Sequence, residues 1–557
     1  MKVKYLKTIG LVLLDLTLLS GLRLSLVAAA PTQMTKNSVG WVEVTKPNKT
    51  SALNFTIAQS NLQQFAKYRV VVNSNQDGIV QPDENLTLRE AIEIVNGTLP
   101  INQLSEVEKS QVSPLSQDTP SQINFNLPPS KTTIRLVELL PPLASPGLVV
   151  DGTTQSGYNP MRFTKEEIPI PTPVVEITSA QEVEVLRGLT IVADGVTIRG
   201  LSLYGFTGKF DTTATIPPGD IFIDTNTDVS RQLNNKQETE NSISPIPHSP
   251  KNIVIEDNWI GVPSQNLGSG KTSGFGVSVF NSEGTTIRRN WIANHNGSGV
   301  ITSVEAQNLQ VEHNVIYGNG NGGMPDAIRL EGNIDNTQIS SNLIEGNGGG
   351  AVFLFKPEGA VTIQNNQIQN NGTRLRRAAI YLMGKDHQVI DNQISKQHGP
   401  GVLVAAYPQS DRNIIQNNRF SGLEGLSIDL ITREHTDARD YQLGDGQNPP
   451  RNSANRRQDT GNGAINTPQF LSPEFLILNG KVNIDGMADA GSQVDIYKVT
   501  GQTDLSEEIA TVTTDEKGLF SLSLSNLEPG ARISAIATDP KYGTSEAAAS
   551  AVVRLLE

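Results

Sequence analysis

Ile253-Val254-Ile255-Glu256-Asp257-Asn258-Trp259-Ile260 decides the fold, because it returns. The same phrase, with aliphatics, a polar residue or two, Asn, one residue and an aliphatic, reappears as Ile287-Arg288-Arg289-Asn290-Trp291-Ile292 and Val311-Glu312-His313-Asn314-Val315-Ile316. It follows again at 339–344, 363–368, 389–394 and 414–420. The aligned asparagines are Asn258, Asn290, Asn314, Asn342, Asn366, Asn392 and Asn418, separated by 32, 24, 28, 24, 26 and 26 residues. A period in the twenties indicates a solenoid, whose units cannot bury their apolar faces alone. Each unit is too short for a helical pair and alternates apolar residues before a turn residue, which is a strand pattern. A coil of roughly 24 residues then holds three short strands, stacked at about 4.8 Å per coil. Crossovers between parallel strands are right-handed. These features predict an all-β chain built as a right-handed parallel β-helix. The Asn column reads as a corner ladder, since Asn tolerates left-handed backbone and its amide can bond the next coil.

A second strand follows each phrase: Gly276-Val277-Ser278-Val279, Gly299-Val300-Ile301-Thr302, Ala327-Ile328-Arg329-Leu330, Ala351-Val352-Phe353-Leu354, Ala379-Ile380-Tyr381-Leu382, Gly401-Val402-Leu403-Val404 and Gly425-Leu426-Ser427-Ile428. Side chains alternate faces, so the second and fourth positions point inward and the third outward. The outward column then reads Ser278, Ile301, Arg329, Phe353, Tyr381, Leu403, Ser427, and the next Phe280, Ser303, Glu331, Phe355, Met383, Ala405, Asp429.

The chain has 557 residues, no Cys and a formal net charge of −13, with no basic stripe of the kind a nucleic-acid partner needs. Lys2, Lys4 and Lys7, the mainly apolar run Ile9 to Leu19 and Val27-Ala28-Ala29-Ala30 read as a secretion signal over 1–30, with an uncleaved anchor as the alternative. The expected location is therefore outside the cytoplasm: extracellular, cell surface or periplasm. No other segment is apolar enough to span a bilayer. Residues 31–69 form an N-terminal arm. Over 70–122, the strand Val70 to Val72, a turn at Asn75 to Gly78 and the capping box Thr87-Leu88-Arg89-Glu90, opening a helix to about Val95, predict a cap on the first coil. The β-helix is expected over 123–433, with Gly200 in the Asn column and a lateral insertion at 207–250. Residues 434–466 read as a linker or exit loop. From 467 to 557 the strands lengthen (Phe475 to Ile484, Val494 to Val499, Ile509 to Thr513, Leu519 to Leu524, Ile533 to Ala537, Ala547 to Val553), which predicts a small antiparallel β-sandwich.

Leu86-Thr87-Leu88-Arg89-Glu90-Ala91 resembles the motif of the CSLREA-domain proteins, with Leu and Thr in place of Cys and Ser. Leu148 to Tyr158 is similar to the segment that follows it in that family, and Asn258-Trp259-Ile260-Gly261 to its β-helix repeats. Leu443-Gly444-Asp445-Gly446 and Asp459 to Gly463 resemble its exit loop, and Thr538 to Glu546 the closing hairpin of bacterial Ig-like modules. The resemblance implies an exported bacterial surface or secreted protein, and no agreed activity.

Three successive coils offer Arg329 with Glu331, Phe353 with Phe355, and Tyr381 with Met383, followed by Lys356, Lys385, Asp386 and His387 in the turns. A row of outward aromatics marks a binding surface unless the 31–50 arm or a loop lies over it. Sugar rings stack on such faces. The glycan-binding candidates are Arg329, Glu331, Phe353, Phe355, Tyr381, Lys385, Asp386 and His387. Enzymes on the same architecture, such as pectate lyases and polygalacturonases, are analogies of fold only. A glycosidase needs two carboxyls about 5 to 9.5 Å apart, whereas Glu331 and Asp429 stand four coils apart, about 19 Å. Asn226-Thr227-Asp228 and His398-Gly399 echo parts of a polygalacturonase site without its other elements, and Asp326, Arg329 and Glu331 make an incomplete lyase set. The histidines have no metal spacing and no cofactor is implied. Asp445, Asp459 and Asn462 are calcium candidates only by their oxygen chemistry. The leading expectation is non-catalytic binding of extracellular or cell-wall polysaccharide, or adhesion. A polysaccharide lyase or glycoside hydrolase is the rival, and a structural surface spacer the third reading.

Overall fold

The structure, a computed structural model, describes residues 66–555 apart from 166–167, 209–216, 226–248, 265–269, 408, 436–441, 450–452 and 456–458. The signal segment, most of the N-terminal arm and Asn226-Thr227-Asp228 thus lie outside the described residues. Three sheets, of twelve, ten and nine strands among the described residues, form the body, parallel except where Val112–Pro114 pairs antiparallel with Tyr68–Val72 at the start of the first, and successive coils contribute a strand to each. The first sheet runs from Val112–Pro114 through Tyr68–Val72 and Gln122–Phe125 to Ile414–Gln416, the second from Thr133–Leu136 to Arg419–Ser421, the third from Arg187–Ile191 to Ile428–Ile431.

Register explains the core. In the first sheet Ile255, Ile287, Val311, Ile339, Ile363, Val389 and Ile415 stand on one another. In the third, Val277, Val300, Ile328, Val352, Ile380, Val402 and Ile428 do the same. All are buried in one continuous apolar column. Each such burial contributes about 1.5–3 kcal/mol.

The Asn ladder forms as expected. Asn314 Nδ2 donates to Asn342 Oδ1 at 3.0 Å, and Asn314 N to the same oxygen at 2.9 Å. The same pair of bonds links Asn258 to Asn290, and Asn392 to Asn418 at the far end. The left-handed residue, however, is the one before the Asn: Asp257 (φ 59), Arg289 (51), His313 (55), Ser341 (56), Asn365 (55), Asp391 (59) and Asn417 (52). That residue makes the turn, and the Asn amide then runs along the stack. Gly200 (φ 68) therefore belongs to the turning column, and Leu201 N donates to Asn258 Oδ1. A second ladder, not anticipated, occupies the next corner: Asn319 Nδ2 donates to Asn347 Oδ1 (3.1 Å) and Asn347 Nδ2 to Asn371 Oδ1 (2.8 Å).

Two other expectations change. Gly219–Ile223, inside the stretch read as a lateral insertion, is a coil strand between Arg187–Ile191 and Phe275–Glu283. Conversely, Asn159–Lys165 and Ile168–Thr172 form a hairpin outside the stack, and Ile170 packs over Trp259 on the second sheet.

Both ends are closed. The helix Leu88–Asn96 has its capping box: Glu90 N donates to Thr87 Oγ1 (3.2 Å) and Thr87 N to Glu90 Oε2 (2.9 Å). Leu88, Ala91, Ile92 and Val95 join the apolar column at its first coil. The C-terminal strands, antiparallel except where Glu474–Leu478 runs with Ala551–Leu555, enclose a core of their own around Val482, Ile484, Val494, Ile496 and Ile533. They are not a detached module. Tyr497, Leu505 and Ile536 complete the column's other end. Ile415 N donates to Thr544 Oγ1 (2.8 Å), and Leu430 N to Glu546 Oε1 (3.1 Å). The described part of 434–466 is no slack linker either: Gln442 O accepts from Ala378 N at 3.1 Å.

Candidate functional site: the outer face of the third sheet

The column Ser278, Ile301, Arg329, Phe353, Tyr381, Leu403 stands in register as the alternation requires. The last coil is displaced by two residues: Asp429, rather than Ser427, stands on Leu403. Ser427 Oγ instead accepts from Leu505 N (3.1 Å), fixing the C-terminal cap.

The aromatic row is outward but covered, which corrects the expectation of an exposed stripe. Phe353 (5 % exposed), Tyr381 (2 %) and Met383 (2 %) form an apolar cluster outside the barrel with Ala378, Leu403, Ala405 and Ile431. The rings cover one another: Phe353 stacks on Tyr381 with centroids 4.7 Å apart and on Phe355 at 6.4 Å. Guanidinium groups of Arg329 and Arg377 lie 4.8 and 5.6 Å from the Phe353 centroid. At the lower coils the exit loop presses down at Gly444 (φ 88), where a Cβ would lie 2.1 Å from Asp429 Oδ2.

What remains in reach is a strip around this floor. Arg329, Glu331, Phe355, Arg377 and Tyr407 are half-buried, and Lys356 and Arg433 exposed. Arg329 Nε bonds Glu331 Oε1 at 2.5 Å, and its guanidinium lies 5.0 Å from the Phe355 centroid. Asp326 is sealed beneath, accepting from Gly350 N (2.9 Å) and from Arg377 Nη1 at 3.2 and 3.1 Å. The Lys356 ammonium stands 5.2 Å from the Phe355 centroid and 5.1 Å from that of Tyr407, with Arg433 at 5.5 Å from the same Tyr407 ring. Such cation–ring contacts contribute about 0.5–1 kcal/mol each where exposed. Asp326, Arg329 and Glu331 do come together, but both acids are committed to arginines.

Three candidates lie elsewhere. His387 is fully buried, which removes it as a glycan contact. Its Nδ1 accepts from Val361 N (3.2 Å), its Nε2–H donates to Met383 O (2.8 Å), and burial pushes its pKa down to about 4. Lys385 Nζ bonds Gln409 Oε1 at 3.1 Å, and Asp386 pairs with Arg412 at 2.7 Å, which lowers its pKa. No hydrogen bond or ion pair joins Lys385 or Asp386 to the Arg329 strip among the described residues.

Each calcium candidate has a partner within the chain. Asn462 caps a third Asn column, its Oδ1 accepting from Asn413 N (3.2 Å) and Asn413 Nδ2 (3.1 Å). Asp445 Oδ2 takes His435 Nδ1 at 2.6 Å, and Asp459 O takes Arg433 N. Among the described residues no three His, Cys, Asp or Glu side chains are grouped to hold a metal. Sequence reasoning missed Arg377, Tyr407 and Arg433, which come from turns outside the repeat phrase. It also missed Asp220, His295 and Ser273, where His295 Nε2 meets Asp220 Oδ2 at 2.8 Å, but this group is sealed from solvent and offers no route for a substrate.

No helix among the described residues is long and apolar enough to cross a membrane. The family described as the right handed beta helix region matches residues 248–375 and 327–446. No curated protein matches the chain. Among solved structures, the chain is similar to the enzymatically active domain of tailspike protein 2 of bacteriophage CBA120 at 12 % identity, covering 75 % of this chain and 69 % of that one, with a TM-score of 0.36. The Azotobacter vinelandii mannuronan C-5 epimerase AlgE4 A-module follows at 14 %, 56 % and 83 %, TM-score 0.33. The surface adhesin PfbA of Streptococcus pneumoniae stands at 11 %, 56 % and 79 %, TM-score 0.30. Strand register and family match together make the chain a right-handed parallel β-helix.

Proposed function

We propose that the protein is exported and binds extracellular or cell-wall polysaccharide across the outer face of the third sheet, as an adhesin or glycan receptor. The observation that carries this reading is the strip itself: two reachable aromatic rings, Phe355 and Tyr407, set among Arg329, Lys356, Arg377 and Arg433. Aromatic faces take the C–H faces of sugar rings, and the cations take their oxygens. Phe353 and Tyr381 serve as the floor that holds this strip, and do not touch the glycan. Kinship to the CSLREA-domain proteins and an Ig-like C-terminal module belong to the same proposal.

The test is retention of the full chain on a panel of polyuronates and neutral glycans. Phe355→Ala and Tyr407→Ala should each weaken retention about tenfold, the usual loss for an anchoring aromatic. New reducing ends or ultraviolet-absorbing unsaturated ends would replace this reading by a hydrolase or lyase. No retention on any polymer would leave a surface spacer.

A further inference from the structure

Given the binding reading above, we infer that the group recognised on the polysaccharide is an anion, a carboxylate or a sulfate ester, received by Lys356 and Arg433 beside Tyr407. The chain carries 57 acidic against 44 basic residues, so a basic notch is against its general balance. Several cations on this solenoid are paired with acids: Arg199 with Asp151 (2.6 Å), Arg288 with Glu256 (2.7 Å), Arg289 with Asp257 (2.8 Å) and Arg412 with Asp386 (2.7 Å). Lys356 and Arg433 are not. Among the described residues neither side-chain head makes a hydrogen bond or ion pair, and the contacts of both heads are with aromatic rings.

The two come from different elements, a corner after the third-sheet strand Val352–Leu354 and the turn Arg433–His435, and converge on one ring. Two cations held against one ring repel each other, and an anion that meets both lowers that cost. Among the described residues no acid pairs with either head. Glu331 is held by Arg329, and Asp326 lies sealed under Arg377. Asp429, next in the column, lies beneath Gly444, and burial with Glu546 and Asp445 beside it holds its carboxyl toward the neutral form. Among the described residues the notch thus has two cations and no acid paired with them, and Tyr407 supplies a face for the ring that bears the anion.

The experiment measures affinity of the full chain for polygalacturonate, for the same polymer with its carboxyls reduced to alcohols, for dextran sulfate and for dextran. We expect the polygalacturonate or dextran sulfate affinity to exceed that of its neutral counterpart by about tenfold or more, and to fall as salt rises from about 0.03 to about 0.3 M. Which polyanion is held says whether carboxylate or sulfate is read. Lys356→Gln with Arg433→Gln, both exposed, should abolish the difference, whereas Lys481→Gln with Lys517→Gln, exposed on the C-terminal domain, should not. Equal affinity for the intact and carboxyl-reduced polymers, and for dextran sulfate and dextran, overturns the anion while leaving the glycan-binding reading in place. Binding to none of the four removes both.

Discussion

His387 occupies a position that takes the imidazole in its neutral form. Its Nδ1 must accept from Val361 N, so a proton there would set two donors face to face. Its folded pKa of about 4 lies below the ordinary value of 6.5, so the unfolded chain binds the proton more readily. Its contribution is thus complete above about pH 6.5 and lost as pH falls toward 4, by up to about 3 kcal/mol. Denaturant unfolding at neutral and acid pH should show this loss, and His387→Gln, whose amide can both accept and donate, should flatten it. An unchanged profile in the variant would refute the assignment. Asp429 works in the opposite sense. Its pKa is raised by burial and by Glu546 and Asp445, so holding it ionised costs stability as pH rises above the unfolded value. Asp429→Asn should raise stability at pH 7, read as a higher melting temperature, and make little difference at pH 3. The outward direction of Asp429 and Phe353 was legible from the two-residue alternation, whereas His387 was read as a turn residue and its burial went unseen. The covering of Asp429 and Phe353 was not legible either, because the loop over Asp429 and the Arg377 guanidinium beside Phe353 come from segments with no period.

The coil is the element on which the fold depends, and the Asn ladder is its most exacting part. Asn342 Oδ1 receives Asn314 N and Nδ2, and Asn342 Nδ2 donates to Val311 O at 2.8 Å and Asn366 Oδ1 at 3.0 Å, all in a buried corner. Asn342→Ala strands several of these groups, each costing about 1–3 kcal/mol. A drop in melting temperature well beyond that of a surface substitution such as Gln338→Ala is expected, and equal melting would mean the ladder is ornamental. The Asn column was readable because it recurs with the hydrophobic phrase. The second ladder carried a signal of its own, Asn319, Asn347 and Asn371, five residues after Asn314, Asn342 and Asn366, but it fills only three coils before Gln397 takes its place. The hairpin at 159–172 had no such signal, since its partner, the outer face at Trp259, lies far along the chain.

At the scale of the molecule, each end of the stack is sealed by a different piece of chain. The N-terminal helix was evident from its capping box. The docking of the C-terminal strands was not, because their alternation tells which residues pair within the domain and nothing about Tyr497, Leu505 and Ile536 meeting the last coil. A chain ending at residue 466 should therefore self-associate or unfold, through the uncovered floor around Ile428 and Leu430 and the freed strand edges. Size-exclusion chromatography would reveal this, and a well-behaved monomer would mean the domain is dispensable. Because both closures are independent of what lies between them, the coils between are interchangeable, like washers on a bolt. Duplicating residues 363–388 in frame should lengthen the molecule by about 4.8 Å with every rung intact, whereas adding a single residue within a strand would turn its apolar side outward. Such a protein can be cut to a new reach by evolution or by design in whole steps, and in no smaller increment.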